Sequence, residues 1–202
     1  RELALQVAAE ISSLRGKKKL QVLPVYGGQP FRTQLRHLRN GVDIVVGTPG
    51  RVLDHIRRGS LNLSKTQYCV LDGADEMLNM GFIEDIENIL DVANPGRQLL
   101  LFSATMPKRI ELLAKKYMKR PEVIQSKAGK GVNSSVDEIY FQVHNSDKFE
   151  ALCRIIDMEE DFYGIVFCRT KIICDNISKD LNDRGYRSAV FHGDVTQDRR
   201  EQ

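Results

Sequence analysis

Helical and strand-like patterns of apolar residues alternate along the first 120 residues. Apolar residues recur at helical spacing over 2–14, and this segment stops at Gly16, a residue type that commonly follows a helix end. Continuous apolar runs, which are typical of strands buried on both faces, alternate with further amphipathic helices. The predicted strands are 19–28, 42–48, 67–72 and 98–105, and the predicted helices are 2–14, 30–39, 49–59 and 106–118. The alternation predicts a parallel sheet covered by helices on both faces.

The alternation breaks over 121–135, which contains a proline, two glycines and several serines and lysines. Such a composition is typical of a linker or an extended segment. The pattern then resumes, and a last helix begins with Thr196 as its cap. The predicted elements of this second part are strands 138–144, 163–170 and 187–193 and helices 147–158 and 171–185. The sequence therefore predicts an α/β chain with two units, 1–122 and 137–202, joined by a linker at 123–136.

Composition excludes several classes of protein. The chain has 202 residues, of which 42% are hydrophobic and 28% charged, and no apolar run approaches the ~20 residues of a membrane span. Four cysteines without a CxxC pair indicate free thiols in a reducing cytoplasm, and four scattered histidines argue against zinc. Because the chain opens on Arg1 rather than methionine, we expect it to be a piece of a longer protein.

Charge is unevenly distributed along the chain. Residues 1–65 carry 12 Lys/Arg and 4 Asp/Glu, a net charge of +8, whereas residues 66–202 carry 18 and 23, a net charge of −5. A basic first third is typical of a surface that binds a polyanion. A solvated basic face explains the charge equally well, so charge alone does not decide between them.

Residues that are suited to catalysis or to ligand binding follow four of the predicted strands. In parallel sheets, ligands bind beyond the carboxyl ends of the strands. Asp72 ends an apolar strand. Sheets that hydrolyse nucleotides place a carboxylate at this position, where it helps to hold Mg²⁺ beside the nucleotide. Ser103 and Thr105 end another strand, where their hydroxyls are able to bond Asp75 or a phosphate. Taken alone, Asp72 is weak evidence, because many strand-end aspartates are helix caps, and the Ser103–Thr105 segment is more typical of an ordinary helix cap.

The basic first third carries a second group of candidates. Thr48-Pro49-Gly50-Arg51 offers a hydroxyl, exposed amides and a guanidinium at a helix start, which suits a phosphate. Gly27 and Gly28 allow a backbone to approach a ligand closely. Four arginines add positive charge to the same part of the chain: Arg1, Arg32, Arg36 and Arg39.

The order of these motifs resembles the DEAD-box ATP-dependent RNA helicases of superfamily 2. The matching segments are RELA (1–4), GG (27–28), TPGR (48–51), DGAD (72–75), SAT (103–105), VFCRT (166–170) and HGDVTQDRR (192–200). Short matches in fixed order over about 200 residues are far more specific than any one of them. The phrases GTPGRVLDHIRRG, MGFIEDIE and LLLFSATMP are most similar to the bacterial cold-shock branch.

The resemblance implies two RecA-like domains that clamp ATP and Mg²⁺ between them and lie across RNA. Asp72 would associate with Mg²⁺ through water, and Asp75, Ser103 and Thr105 would couple the nucleotide site to strand separation. RNA would be bound through its backbone, without sequence preference. The implied RNA-binding residues are Arg1, Gly27, Gly28, Thr48, Gly50, Arg51, Phe167, Thr170, Gly193, Asp194, Gln197 and Arg200.

Parts of the family pattern do not occur in these 202 residues. The phosphate loop G-x-x-x-x-G-K-[ST], the adenine-reading glutamine segment and the arginine-finger motif of the second domain are missing. We therefore expect both RecA-like domains to be incomplete, and we expect poor ATP binding by this chain alone. A truncated or partial gene product explains this pattern better than a natural minimal helicase.

Gly73 is the second departure from the family. The resemblance implies a glutamate here, which positions and activates the attacking water, and glycine performs neither task. Loss of a general base typically costs ~10²–10⁴ in rate. Two explanations stay open: a single-base error or neutral degeneration, and a selected clamp that binds RNA and releases it slowly.

Three functional hypotheses follow from the sequence. The first is a fragment of an RNA helicase that remodels short duplexes, with ribosome-assembly or RNA-degradation factors as partners and no membrane. The second is a non-catalytic RNA-binding clamp, favoured by Gly73 and by the missing phosphate loop. The third is a related motor acting on DNA, against which TPGR and SAT argue.

Overall fold

The chain divides into two compact units, residues 1–124 and residues 125–202. The computed structural model describes residues 1–125 and 136–200. Most of the predicted linker, 123–136, therefore lies outside the described residues. Each unit is described by itself below.

The first unit alternates helices and strands from its first residues. Its strands are β1 (Val22–Val25), β2 (Ile44–Gly47), β3 (Tyr68–Leu71) and β4 (Gln98–Leu101). Its helices are α1 (Glu2–Leu14), α2 (Phe31–Arg39), α3 (Pro49–Arg57), α4 (Ala74–Asn79), α5 (Ile83–Val92) and α6 (Lys108–Tyr117). The four helices predicted for this unit are all present, and Pro49 opens α3 because its fixed φ suits a first helical turn.

The strands of this unit pair in parallel, as predicted, but in two ladders rather than one sheet. β1 pairs with β2, with Val25 opposite Gly47, and β3 pairs with β4, with Leu71 opposite Leu101. Among the described residues each ladder has two strands. Each strand has four residues, fewer than the predicted runs, because the residues after it turn away into the loops at the carboxyl edge.

A cluster of buried apolar residues lies between the β3–β4 ladder and helices α4, α5 and α6. Its buried members are Ala74, Ile83, Ile86, Leu90, Ile110 and Leu113. Leu71, Leu99 and Leu101 of the two strands pack against these side chains. Removal of this apolar surface from water is the main force that fixes the loops after β3 and β4.

The second unit contains helices α7 (Lys148–Asp157), α8 (Lys171–Asp183) and α9 (Gln197–Arg200), with a short 3-10 helix at Asn145–Asp147. The prediction of strands at 138–144, 163–170 and 187–193 is wrong for the described residues, which form no ladder here. A parallel strand has no partner close in sequence, so an apolar run alone does not produce pairing. Tyr140 and Tyr163 accordingly lie exposed.

Candidate functional site

The carboxyl edge of the β1–β2 ladder holds the first group of candidate residues. Because Val25 and Gly47 lie opposite each other, the Gly27–Gly28 loop and the start of α3 leave the ladder at the same edge. The Thr48 backbone N–H donates to the carbonyl of Val25 at 3.0 Å, which ties the two loops together. Two glycine-containing segments that are 20 residues apart in sequence are thus adjacent in space.

Arginine side chains lie at this edge from two directions. A Cβ placed on Gly27 would lie 3.8 Å from the Nε and Nη2 atoms of Arg1. Arg51 Nη1 donates to the carbonyl of Gln29 at 3.0 Å and to Oε1 of Gln34 at 3.2 Å. The Thr48 hydroxyl does not cap α3. The edge therefore combines two guanidinium groups, a hydroxyl and the N-terminus of a nine-residue helix, a combination that suits phosphate oxygens.

The carboxyl edge of the β3–β4 ladder holds the acidic candidates. Asp72 follows β3 directly and is exposed, and its carboxylate makes no hydrogen bond or ion pair with another described residue. Gly73 follows with φ 66° and ψ 46°, a left-handed conformation, and a Cβ added to it would meet nothing within 4 Å. The Ala74 N–H then donates to the carbonyl of Phe102 at 3.0 Å, which joins this turn to the loop after β4.

Asp75 links α4 to the Ser103–Thr105 segment through several hydrogen bonds. The N–H and Oγ1 of Thr105 donate to Asp75 Oδ2 at 2.8 and 2.7 Å, and the Asp75 N–H donates to Ser103 Oγ at 3.1 Å. Ser103 Oγ in turn donates to the carbonyl of Thr105 at 2.6 Å. The bonds from Thr105, first its hydroxyl and then its N–H, lower the pKa of Asp75 to about 2.

We predict that the ionisation of Asp75 depends on Thr105. Asp75 has its pKa lowered from an ordinary value near 3.8 to about 2, so its carboxylate stabilises the fold fully above pH 4. That stabilisation is lost as pH falls toward 2. A Thr105→Val substitution removes the hydroxyl donor, and an NMR titration of the Asp75 carboxyl should show its pKa move upward. An unchanged pKa would contradict the assignment of these bonds.

The candidate residues of the second unit lie in and around the loops that precede α8 and α9. Thr170 caps α8, accepting the N–H of Ile173 at 3.2 Å, and Phe167 is exposed before it. Lys171 Nζ bonds Asp194 Oδ1 at 2.6 Å and would lie 3.7 Å from a Cβ placed on Gly193. Gln197 and Arg200 belong to α9, and the guanidinium of Arg200 stacks over Phe191 at 4.7 Å. Lys171 thus joins the Gly193–Asp194 turn to the start of α8.

Sequence reasoning missed three residues that contact these candidates: Gln29, Gln34 and Lys171. Gln34 bonds Arg51, and it is 1% exposed. Its signal in the sequence was a polar residue on the apolar face of α2, where Leu35 and Leu38 are its neighbours. Lys171 had no signal beyond its position next to Thr170.

Three other predictions concern metals, thiols and membranes. Within 1–125 and 136–200, no cluster of three or more His, Cys, Asp or Glu side chains has a geometry that holds a metal ion. The four cysteines are free thiols. No helix in the described part of the chain is long and apolar enough to cross a membrane.

Comparisons with known proteins agree on one family. The family described as DEAD/DEAH box helicase matches residues 1–113. The chain is 49% identical over 201 residues to a probable ATP-dependent RNA helicase of Methanocaldococcus jannaschii, covering 100% of this chain and 53% of that protein. It is 46% identical over 200 residues to the DEAD-box ATP-dependent RNA helicase CshA of Geobacillus kaustophilus, covering 99% and 43%.

Solved structures give the same result for the fold. A crystal structure of a DEAD box protein from the hyperthermophile Methanococcus jannaschii matches with a TM-score of 0.61 and 48% identity, covering 99% of this chain and 53% of that one. A hypothetical ATP-dependent RNA helicase from Sulfolobus tokodaii also matches at 0.61, with 34% identity over 89% and 52% of the two chains. The predicted α/β, RecA-like fold class is thereby confirmed. The chain spans about half the length, or less, of the curated relatives it matches.

Proposed function

The chain belongs to the DEAD/DEAH box helicase family, and from this premise we propose that it is part of an ATP-dependent RNA helicase. It binds the RNA backbone without sequence preference and acts on short duplexes. Residues 1–122 contribute to the first RecA-like domain, 123–136 to a linker and 137–202 to the second. The protein works in the cytoplasm, where ribosome-assembly or RNA-degradation factors are its expected partners.

One observation carries the RNA-binding half of this proposal: the β1–β2 ladder brings the Gly27–Gly28 loop, the start of α3 and two arginines to a single edge. Phosphates are bound by backbone N–H groups at helix starts and by guanidinium forks. The net charge of +8 on residues 1–65 adds a long-range attraction for any polyanion. Phe167, Thr170, Gly193, Asp194, Gln197 and Arg200 form the RNA-binding set of the second domain.

The nucleotide half of the proposal rests on the β3–β4 edge. Asp72 is an exposed carboxylate at a strand end with no partner among the described residues, which fits a water-mediated contact to Mg²⁺. Bound Mg²⁺ would neutralise charge on the ATP phosphates during transfer to water. Asp75 does not suit a contact with Mg²⁺ in the same way, because its carboxylate already accepts two hydrogen bonds from Thr105. It ties the strand-end turn to the Ser103–Thr105 segment by hydrogen bonds, which suits a coupling role between the nucleotide site and strand separation.

Gly73 impairs hydrolysis in this proposal. Glycine supplies no carboxylate to orient or deprotonate water, and the space around its Cα is open, with no other described side chain within 4 Å of a Cβ there. Glu76 does not substitute for the missing base, because it lies in the first turn of α4, three residues further on. The site therefore keeps its metal-associated acid and lacks its base.

We expect Arg51→Gln to weaken the binding of single-stranded RNA to this chain and to flatten its salt dependence. Each phosphate contact contributes about 0.7 to the slope of log K against log salt for single strands, so loss of one contact lowers the slope by that amount. The measurement is fluorescence anisotropy with a labelled RNA oligonucleotide over a salt series.

Arg57→Gln is the matched control for Arg51→Gln, because it removes the same charge from the exposed last turn of the same helix. It should shift affinity slightly and leave the slope nearly unchanged. Equal slopes for the two variants would contradict a specific role for Arg51. Absence of RNA binding by the parent chain at low salt would overturn the RNA-binding proposal itself.

A non-catalytic RNA clamp is the second candidate, and Gly73 favours it. In that case the complete protein binds RNA and ATP but hydrolyses ATP slowly even when it has all other family motifs. Competition between RNA and DNA of the same sequence separates both candidates from a DNA motor. Preference for DNA would exclude them together.

A further inference from the structure

Gln34 uses every hydrogen-bonding group of its side chain inside the fold. It lies on α2 and is 1% exposed. Its Nε2 donates to the carbonyl of Tyr26 at 2.9 Å and to Oε1 of Gln29 at 3.1 Å. Its Oε1 accepts from Arg51 Nη1 at 3.2 Å and from His55 Nε2 at 3.1 Å. A side-chain amide has two donor hydrogens and two acceptor lone pairs, so its capacity is filled.

The chemistry of the partners fixes the orientation of this amide. Arg51 only donates, so the atom facing it must be the amide oxygen, and the Tyr26 carbonyl only accepts, so the atom facing it must be the amide nitrogen. The two requirements agree. A neutral histidine offers one donor and one acceptor, whereas this position uses two of each, and an asparagine amide is one methylene too short to reach the same partners. The position therefore demands glutamine for its hydrogen bonds and not for its volume.

His55 is the second side chain of α3 that bonds Gln34. Its ring is fully buried and stacks on Phe31 with centroids 4.1 Å apart, while Nδ1 bonds Ser60 Oγ at 2.8 Å. Burial, followed by the charge of Arg51, lowers the pKa of His55. A neutral ring with its proton on Nε2 would donate to Gln34 Oε1 and would add no charge beside the guanidinium.

The four partners of Gln34 belong to two different segments. Tyr26 and Gln29 flank the Gly27–Gly28 loop, whereas Arg51 and His55 lie on α3. Nη1 of Arg51 donates its two hydrogens to the carbonyl of Gln29 and to Oε1 of Gln34. The Nε–H and the two Nη2 hydrogens have no partner among the described residues, which leaves three donors for an outside acceptor.

We propose that Gln34 is a positioning residue that holds the Gly27–Gly28 loop and the Arg51 guanidinium in one fixed arrangement, ready for adjacent phosphates of an RNA strand. This inference rests on the proposed function, since it assigns the same edge to RNA. Gln34 itself does not touch the ligand. Its effect is preorganisation: Arg51 loses its rotamer freedom during folding and not during binding, so affinity is higher.

Gln34→Met keeps the length of the side chain and removes all four hydrogen bonds. We expect the RNA dissociation constant of the 202-residue chain to rise about 3–10-fold, the range expected when one long side chain must be immobilised on binding. We also expect the salt slope to fall toward that of Arg51→Gln. The measurement is the anisotropy titration over a salt series, with thermal unfolding recorded for each variant.

The matched control is Ile86→Val, which removes one methylene from the apolar cluster near the other ladder. It lowers stability without touching the Gln34 bonds, so its RNA affinity and slope should stay at the parent values. A second measurement does not depend on a variant. In the free parent chain, ¹⁵N relaxation should give a high order parameter for the Arg51 Nε–H and a low one for the Nε–H of exposed Arg57.

The outcomes separate cleanly. A changed slope for Gln34→Met with parent-like binding by Ile86→Val supports the inference. Parent-like binding by Gln34→Met, the same loss in both variants, or an Arg51 Nε–H as mobile as that of Arg57 would overturn it. If the parent chain binds no RNA, the proposed function fails first and this inference fails with it.

Discussion

Gly73→Glu is expected to raise RNA-stimulated ATP hydrolysis by ~10²–10⁴-fold, the usual contribution of a positioned general base. The assay uses a chimera in which the Methanocaldococcus jannaschii relative supplies the half of its length that this chain does not cover. A glutamate at position 73 follows Asp72 directly and projects into space that is open in the structure. Under the proposed function, its carboxylate would orient and deprotonate the water that attacks a phosphate held beside Asp72.

The same substitution has a conformational cost. Gly73 has φ 66°, and a left-handed conformation costs residues with a Cβ about 1–2 kcal/mol. Gly73→Ala is therefore the matched control, because it introduces the same backbone strain without a carboxylate. We expect equal losses of stability in the two variants and faster hydrolysis in the glutamate variant alone. Equal hydrolysis rates in both variants would contradict the assignment of position 73 as the base.

Gly47→Ala is expected to destabilise the first unit by about 1–3 kcal/mol, the usual cost of overpacking. A Cβ at position 47 would lie 2.7 Å from the backbone oxygen of Val25 and would overlap the Val52 side chain. The Val25 oxygen also accepts the Thr48 N–H. Relief of the clash must move backbone on β1 or α3, so the predicted RNA-binding edge moves as well. Urea unfolding and RNA binding measure the two effects.

Gly96→Ala is the control for Gly47→Ala. It lies in an exposed turn, where an added Cβ would sit 3.4 Å from Asn94 Oδ1 and the N–H bond to that oxygen is retained. Substitutions of this kind usually change stability by less than 0.5 kcal/mol. A Gly47→Ala variant as stable as Gly96→Ala would contradict the packing of β1, β2 and α3 described here.

The helices were predictable from sequence wherever their apolar residues repeat at helical spacing. Segments 2–14 and 171–185 are examples, and α1 and α8 occupy them. α4 and α5 were not predicted. The segment after DGAD is short and is interrupted by Gly81, and it was interpreted through its motif rather than through the spacing of its apolar residues. The strands of the second unit were predicted wrongly, since periodicity reports burial in a sheet and not the presence of a neighbouring strand.

The site was predictable to the extent that it lies at strand ends. Asp75 and Thr105, 30 residues apart, meet because β3 and β4 are parallel neighbours. The role of Gln34 was not predictable, because a polar residue on an apolar helix face does not reveal which groups it bonds. The left-handed backbone at Gly73 was also hidden, although it decides which substitutions the position tolerates.

Strand separation by the chimera tests the central claim most directly. The substrate is a short RNA duplex with one labelled strand, and the variants are the Gly73 chimera and its Gly73→Glu counterpart. We predict ATP-dependent displacement in multiple turnovers by the glutamate variant, and tight RNA binding with little turnover by the glycine form. A glutamate variant that binds RNA and hydrolyses ATP without separating the strands would contradict the assignment of this chain to an RNA helicase.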